Sequence, residues 1–347
     1  MFNAGKAFVN YNISKRLFST NFKVALEWTP NTNHIGFYVA RANGYYNDSG
    51  LSIDLISPEI DNYSKTPGRQ AIAGSVQFAM GPTETAISSA TTEPDKMRLL
   101  AVAALLQKDT SAIVTLKESG IDTLNKIKSY ASYEGRFEMS IVHEMIKQSG
   151  GNPANLEELT PAKLQIWPNM TNKLSKADAT WIFLNWEGIE AEMNQIKLNI
   201  FKLEDYNIPY GYTPILLGRQ DILTNNEDSV KSFIAATKKG YEYANNLSKV
   251  DECVDILLED SKSKALKSTG KEQIKKSLTY LINNNCYLNN NNEWGKMDLN
   301  VWNKFLDWMC NKNIITQRDG TIITRNDINV EELIWMKDCV ISNTNLK

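Results

Sequence analysis

Apolar positions along the first hundred residues switch between strand and helix spacing. Lys23–Trp28 is a short apolar-rich run that predicts a first strand, and Thr29–His34 is a polar loop. Ile35–Ala42 then places apolar groups at helical spacing until Asn43-Gly44 stops it. Leu51–Ile56 alternates as a second strand, Pro58–Arg69 is a polar loop, and Val76–Met80 is a third strand that Gly81-Pro82-Thr83-Glu84 turns into a helix. Leu99–Leu106 and Ala112–Leu116 predict a fourth and a fifth strand. Strands alternating with helices argue for a mostly parallel sheet in an α/β fold.

A second lobe is expected from about Gly120, over residues 119–211. Its expected elements are a strand at Tyr130–Tyr133, a helix at Arg136–Ser149 closed by Gly150-Gly151, a short strand at Leu164–Trp167, a helix at Met170–Lys176, and strands at Ala179–Leu184 and Lys197–Leu203. Tyr212–Gly218 reads as a strand crossing back, which makes the first lobe discontinuous, residues 23–118 and 212–347. Its remainder is helical: Val230–Leu247, Val250–Leu258, Lys271–Ile282, Val301–Asn311 and Val330–Lys337, with an Asn-rich loop at Asn283–Asn292.

Composition narrows the function. A chain of 347 residues with 42% hydrophobic side chains can bury two cores. A net charge of −2 leaves no basic field for nucleic acid, and no run of about eighteen apolar residues offers a membrane span. Cys253, Cys286, Cys310 and Cys339 have no metal-ligand spacing and are expected to be free, buried thiols. Residues 1–22 carry Lys6, Lys15 and Arg16 among apolar groups, and the first acid of the chain is Glu27. That pattern predicts a mitochondrial presequence cut near Phe18 and a matrix location, with a cytosolic tail as the alternative. Nothing in the pattern fixes an oligomeric state.

In open α/β sheets ligands sit at the carboxyl ends of strands, and pockets favour lobe interfaces. The loops to watch are therefore Glu27–His34, Gly81–Glu84, Ser132–Gly135 and Asn185–Gly188. Trp28 can stack on a flat ring or fill core, and Asn33 can match an aminopyrimidine edge or cap a helix. Glu84, at a strand-to-helix turn, can cap that helix or meet a ligand. Gly135 and Arg136 offer at most a partial phosphate cradle. Glu187 opens a helix after a strand that ends at Asn185, where a carboxylate can take an exocyclic amine. No Gly-x-Ser-x-Gly elbow, Walker-type loop or Gly-x-Gly-x-x-Gly run is present.

The run Leu26–Ala40 is followed by Gly44-Tyr45-Tyr46 and Gly50-Leu51. With Phe78–Gly81, Tyr130–Glu138, Ala177–Trp181 and Trp186–Glu190, it resembles the thiamine-pyrimidine branch of the type II periplasmic-binding-protein superfamily. That branch holds bacterial formyl-aminopyrimidine-binding proteins and fungal hydroxymethylpyrimidine phosphate synthases. The resemblance covers roughly Lys23–Asp221 and is nearer to the binding proteins. It implies a two-lobed α/β fold with an interlobe cleft for a small heteroaromatic ligand of thiamine-precursor type. Trp28 would stack on the ring, and Asn33, Glu84, Tyr133, Glu187 and Tyr212 would surround its polar edge. His34, Glu134, Asn185 and Trp186, from the same loops, complete the candidate ligand-binding set. The synthases consume pyridoxal phosphate and a histidine of their own, with iron near a cysteine cluster. Their pyridoxal lysine would fall at about Thr83, their donor histidine at about Ile87 and their phosphate loop near Gly135–Met139, where only Gly135 matches. No cysteine precedes Cys253. The expectation is therefore a binding protein with no catalytic residue, cofactor or metal; pyridoxal phosphate and iron enter only with the synthase as alternative.

Overall fold

Ten strands form two sheets of five, and the chain passes between them twice. The computed structural model describes residues 20–92, 97–162, 165–172 and 177–335. The first sheet holds β1 (Thr20–Ala25), β2 (Leu51–Ile56), β3 (Phe78–Gly81), β4 (Leu99–Ala104) and, from late in the chain, β10 (Ile215–Arg219). Its order is β2-β1-β3-β10-β4, with β1 parallel to β2 and β3 while β10 runs antiparallel to β3 and β4. The second sheet holds β5 (Ser111–Leu116), β6 (Ser129–Ala131), β7 (Glu157–Leu159), β8 (Ala179–Phe183) and β9 (Leu198–Phe201), in the order β7-β6-β8-β5-β9.

Side-chain alternation sorts each strand's residues between layers. On β5, Ile113 faces one core layer, with Tyr130, Val142 and Met145, while Ala112 and Val114 face another, with Ile166, Trp167 and Ile182. The first sheet shares its core with the C-terminal helices Glu227–Ala244, Val250–Asp260, Lys271–Asn283 and Leu299–Asn311. Helix Glu227–Ala244 lies so close to helix Ile35–Ala42 that a Cβ on Gly240 would meet the Gly36 carbonyl. Cys253, Cys286 and Cys310 are free and buried; Cys339 lies outside the described residues. Among the described residues no helix is long and apolar enough to cross a membrane.

Several expectations are corrected. The fifth strand belongs to the second sheet, so the first crossing is at residues 105–110 rather than near Gly120; alternation marks a strand but does not say which sheet it joins. β1 begins at Thr20, inside the segment 1–22 assigned to a presequence, and Phe22 is buried. The strand expected at Leu164–Trp167 gives way to a helix, Ile166–Thr171, with Pro168 in its first turn, where a missing N–H costs nothing. Thr66 caps a further helix, Pro67–Ile72, at the end of the expected Pro58–Arg69 loop. Val330–Lys337 is no long helix: Val330–Glu332 is a single tight turn, and Ile334 bridges to Ala101; residues 336 and 337 lie outside the described part.

Candidate interlobe ligand site

The two crossings, residues 105–110 and 202–214, bring the ends of both sheets together. Thr83 opens the helix Thr83–Thr91 and fixes the second crossing, donating both its N–H (3.0 Å) and its hydroxyl (2.7 Å) to the Tyr212 carbonyl. Glu84 follows, where a helix N-terminus favours a carboxylate. It is nevertheless only 7% exposed. The Tyr210 hydroxyl donates to its Oε1 at 2.7 Å, and its Oε2 has no partner. Burial pushes the Glu84 carboxyl up to about 7; the bond from Tyr210 and its own backbone N–H oppose this, and Asp109 and Glu138 add to it.

Around Glu84 stand groups that solvent reaches although protein surrounds them, as expected of the walls of a cleft. Asp109, on the first crossing, accepts from the N–H (2.9 Å) and hydroxyl (2.7 Å) of Ser111. Its side chain is solvent-exposed, yet the enclosing protein pushes its carboxyl up to about 6. Half-buried Tyr133 packs edge-on to Trp181 at 5.9 Å, and Trp181 packs on Tyr210 at 5.7 Å. The Tyr133 and Tyr210 phenols are held well above their ordinary value by burial first, then by Glu138, Glu84 and Asp109 for Tyr133 and by Glu84, Tyr133 and Asp109 for Tyr210. Gly135 lies against the Tyr133 ring with no room for a Cβ. Glu187 begins helix Glu187–Met193 and accepts from the Phe183 N–H at 3.0 Å. Burial raises its carboxyl to about 7.

Trp28, past the end of β1, is half-buried. Its ring lies 5.5 Å from that of Tyr63 and packs on the second sheet's layer of Ile166, Trp167 and Ile182, so it links the halves. Asn33 and Asn185 meet across the lobes: the Asn185 amide donates to Asn33 Oδ1 at 3.0 Å and accepts from the Thr110 hydroxyl at 2.7 Å. Asn185 is fully buried, so the pair clasps the two lobes together away from solvent.

Other candidates are placed away from the wall. His34 is 0% exposed, because the loop tightens into a turn at Thr32–His34. Its Nδ1 accepts from the Asn31 N–H at 3.1 Å, which puts the proton on Nε2, donating to Glu27 at 2.9 Å. His34 therefore positions Glu27. Trp186 and Tyr212 enter the first lobe's core, where the Tyr212 hydroxyl accepts from the Asp298 N–H at 2.9 Å. Glu134 is exposed on its loop. Asp109 and Tyr210 were not singled out, because they lie on crossings without periodicity, and Glu138 was given no role of its own within the Tyr130–Glu138 block and the expected helix Arg136–Ser149.

The model of the family described as NMT1/THI5 like matches residues 31–247. The chain belongs to this family. It is 22% identical to a formylaminopyrimidine-binding protein of Halalkalibacterium halodurans over 290 residues, 83% of this chain and 84% of that one. It is 24% identical to a 4-amino-5-hydroxymethyl-2-methylpyrimidine phosphate synthase of Saccharomyces cerevisiae over 232 residues, 63% of this chain and 65% of that one. The alkanesulfonate-binding protein SsuA of Xanthomonas axonopodis pv. citri superposes with a TM-score of 0.59 at 11% identity, over 86% of this chain and 95% of that one. The fold is the two-lobed periplasmic-binding-protein fold.

Two positions that the resemblance assigns to the synthases' pyridoxal lysine and donor histidine hold neither residue type. Thr83 has no amine and spends its hydroxyl on the Tyr212 carbonyl, and Ile87 is a core residue. Among the described residues no group of three or more His, Cys, Asp and Glu has the geometry to hold a metal ion.

Proposed function

We propose that this protein binds a small flat amino-heterocycle, of the aminopyrimidine class, between its lobes. The observation that carries the reading is Glu84: a buried carboxylate with one oxygen held by Tyr210 and the other without a donor. A ring nitrogen and neighbouring exocyclic amine present N–H groups to such an oxygen, and charge-assisted bonds of this kind are the strong ones in a dry site. Trp28 offers a face for the ring, worth about 0.5–1.5 kcal/mol beyond area burial. Tyr133 stands beside Glu84 from the second lobe, and in this reading Glu187, the first residue of helix Glu187–Met193, lines the same lobe's side of the gap. Relatedness to a protein named for binding formylaminopyrimidine supports the same ligand class. Ligand entry and release then require the lobes to move about the two crossings. Calorimetric titration with formyl-aminopyrimidine and hydroxymethyl-aminopyrimidine tests the reading. Saturable binding that weakens in Glu84→Ala is expected; a folded protein giving no heat with either ring contradicts it.

The basic, acid-free residues ahead of β1 support a mitochondrial matrix address as well. Import into isolated mitochondria with and without residues 1–19 checks this; equal uptake of both forms contradicts it.

A further inference from the structure

The cleft's chemistry also bears on whether the ring carries a phosphate. The loop entering helix Glu138–Gln148 has the make-up of an anion cradle, since hydroxyls and backbone N–H groups converge there. Its occupant belongs to the chain itself. Glu138 Oε1 accepts from the Tyr130 hydroxyl (2.8 Å) and the Tyr133 N–H (3.2 Å). Its Oε2 accepts from the Ser132 hydroxyl (2.9 Å) and the Gly135 N–H (3.0 Å). Four donors are thus spent on one buried carboxylate. The cradle adjoins the cleft, because Tyr133 belongs to both and Glu138 acts electrostatically on Glu84.

Charge on the remaining wall has the same sign. Glu84 and Asp109 sit with Tyr133 and Tyr210, and no lysine or arginine features among the described groups that chiefly set their proton affinities. Arg136, beside the cradle, is committed elsewhere. It donates to the Ser88 hydroxyl at 2.8 Å, to the Thr92 hydroxyl and to the Thr316 carbonyl at 2.6 Å. A phosphate monoester entering here would meet the carboxyl groups of Glu84 and Asp109 and an occupied cradle.

We propose that Glu138 is a resident anion filling the cradle of hydroxyl and N–H donors in the second lobe, so that the cleft takes its ring unphosphorylated and rejects the phosphate monoester. The inference rests on the ligand class proposed above. It makes Glu138 a specificity-determining residue acting from beneath Tyr133.

The test compares hydroxymethyl-aminopyrimidine with its phosphate monoester by calorimetry on the wild-type chain, and asks by thermal unfolding whether inorganic phosphate stabilises wild type or Glu138→Ala. The alcohol is expected to bind at least tenfold tighter than the ester, and phosphate is expected to raise the melting temperature of Glu138→Ala alone. Equal or tighter binding of the ester overturns the proposal, as does stabilisation of wild type by phosphate or a folded variant indifferent to it. If Glu138→Ala does not fold, the wild-type comparison decides. If neither ring binds while phosphate stabilises only the variant, the ligand class falls and the resident-anion inference stands.

Discussion

Glu84→Gln separates what the carboxylate does for the ligand from what it does to the fold. Burial raises the proton affinity of this acid, so the folded chain binds the proton more tightly than the unfolded chain does. The stability this contributes is fully present below pH 4.5 and is lost as pH rises through about 7. Tenfold in proton affinity is ~1.36 kcal/mol, so a rise from 4.5 to about 7 costs the ligand-free protein about 3 kcal/mol once the group is ionised. Glutamine mimics the protonated acid and keeps an oxygen for the Tyr210 hydroxyl. Urea unfolding should therefore find the variant equal to wild type at about pH 4 and more stable by up to about 3 kcal/mol at about pH 8. The same substitution removes a charge-assisted bond worth about 1.5–3 kcal/mol, so aminopyrimidine affinity at neutral pH should fall roughly ten- to a hundredfold. A stability difference of equal size at both pH values refutes the reasoning, because a pH-independent effect cannot come from that proton.

Three further predictions follow from packing and the cleft. Asn185→Ala leaves Asn33 Oδ1 and the Thr110 hydroxyl without their partner in a buried place, which should cost about 1–3 kcal/mol in urea unfolding. Gly240→Ala drives a methyl group into the Gly36 carbonyl and should destabilise by about 1–3 kcal/mol or more, read as a lower thermal midpoint. Trp28→Ala removes the proposed stacking face and should weaken aminopyrimidine binding roughly three- to tenfold by calorimetry, with Asn185→Ala separating loss of the clasp from loss of the ring contact.

Most strands and long helices were legible because their apolar periods are strong: β2, β8, β9 and helix Lys271–Asn283 lie within a few residues of expectation. Candidate positions were legible where a polar or aromatic residue follows a strand end, as at Trp28, Glu84, Tyr133 and Glu187. Asp109 and Tyr210 were not, since a crossing has no period and only tertiary structure sets them beside Glu84. Trp28 and Trp186 looked alike as aromatics beside turns. Packing sends Trp28 to the interface and Trp186 into the first lobe's core, a choice that neighbours far along the chain make. The run Leu164–Trp167 was too short to tell strand from helix by spacing alone.

A crystal structure of the wild-type protein with hydroxymethyl-aminopyrimidine tests the central claim most directly. The account predicts the ring beside Trp28, with a nitrogen donor on Glu84 Oε2 and Glu138 still in its cradle. A ring bound outside the cleft, or one inside it that leaves Glu84 Oε2 without a donor, contradicts it.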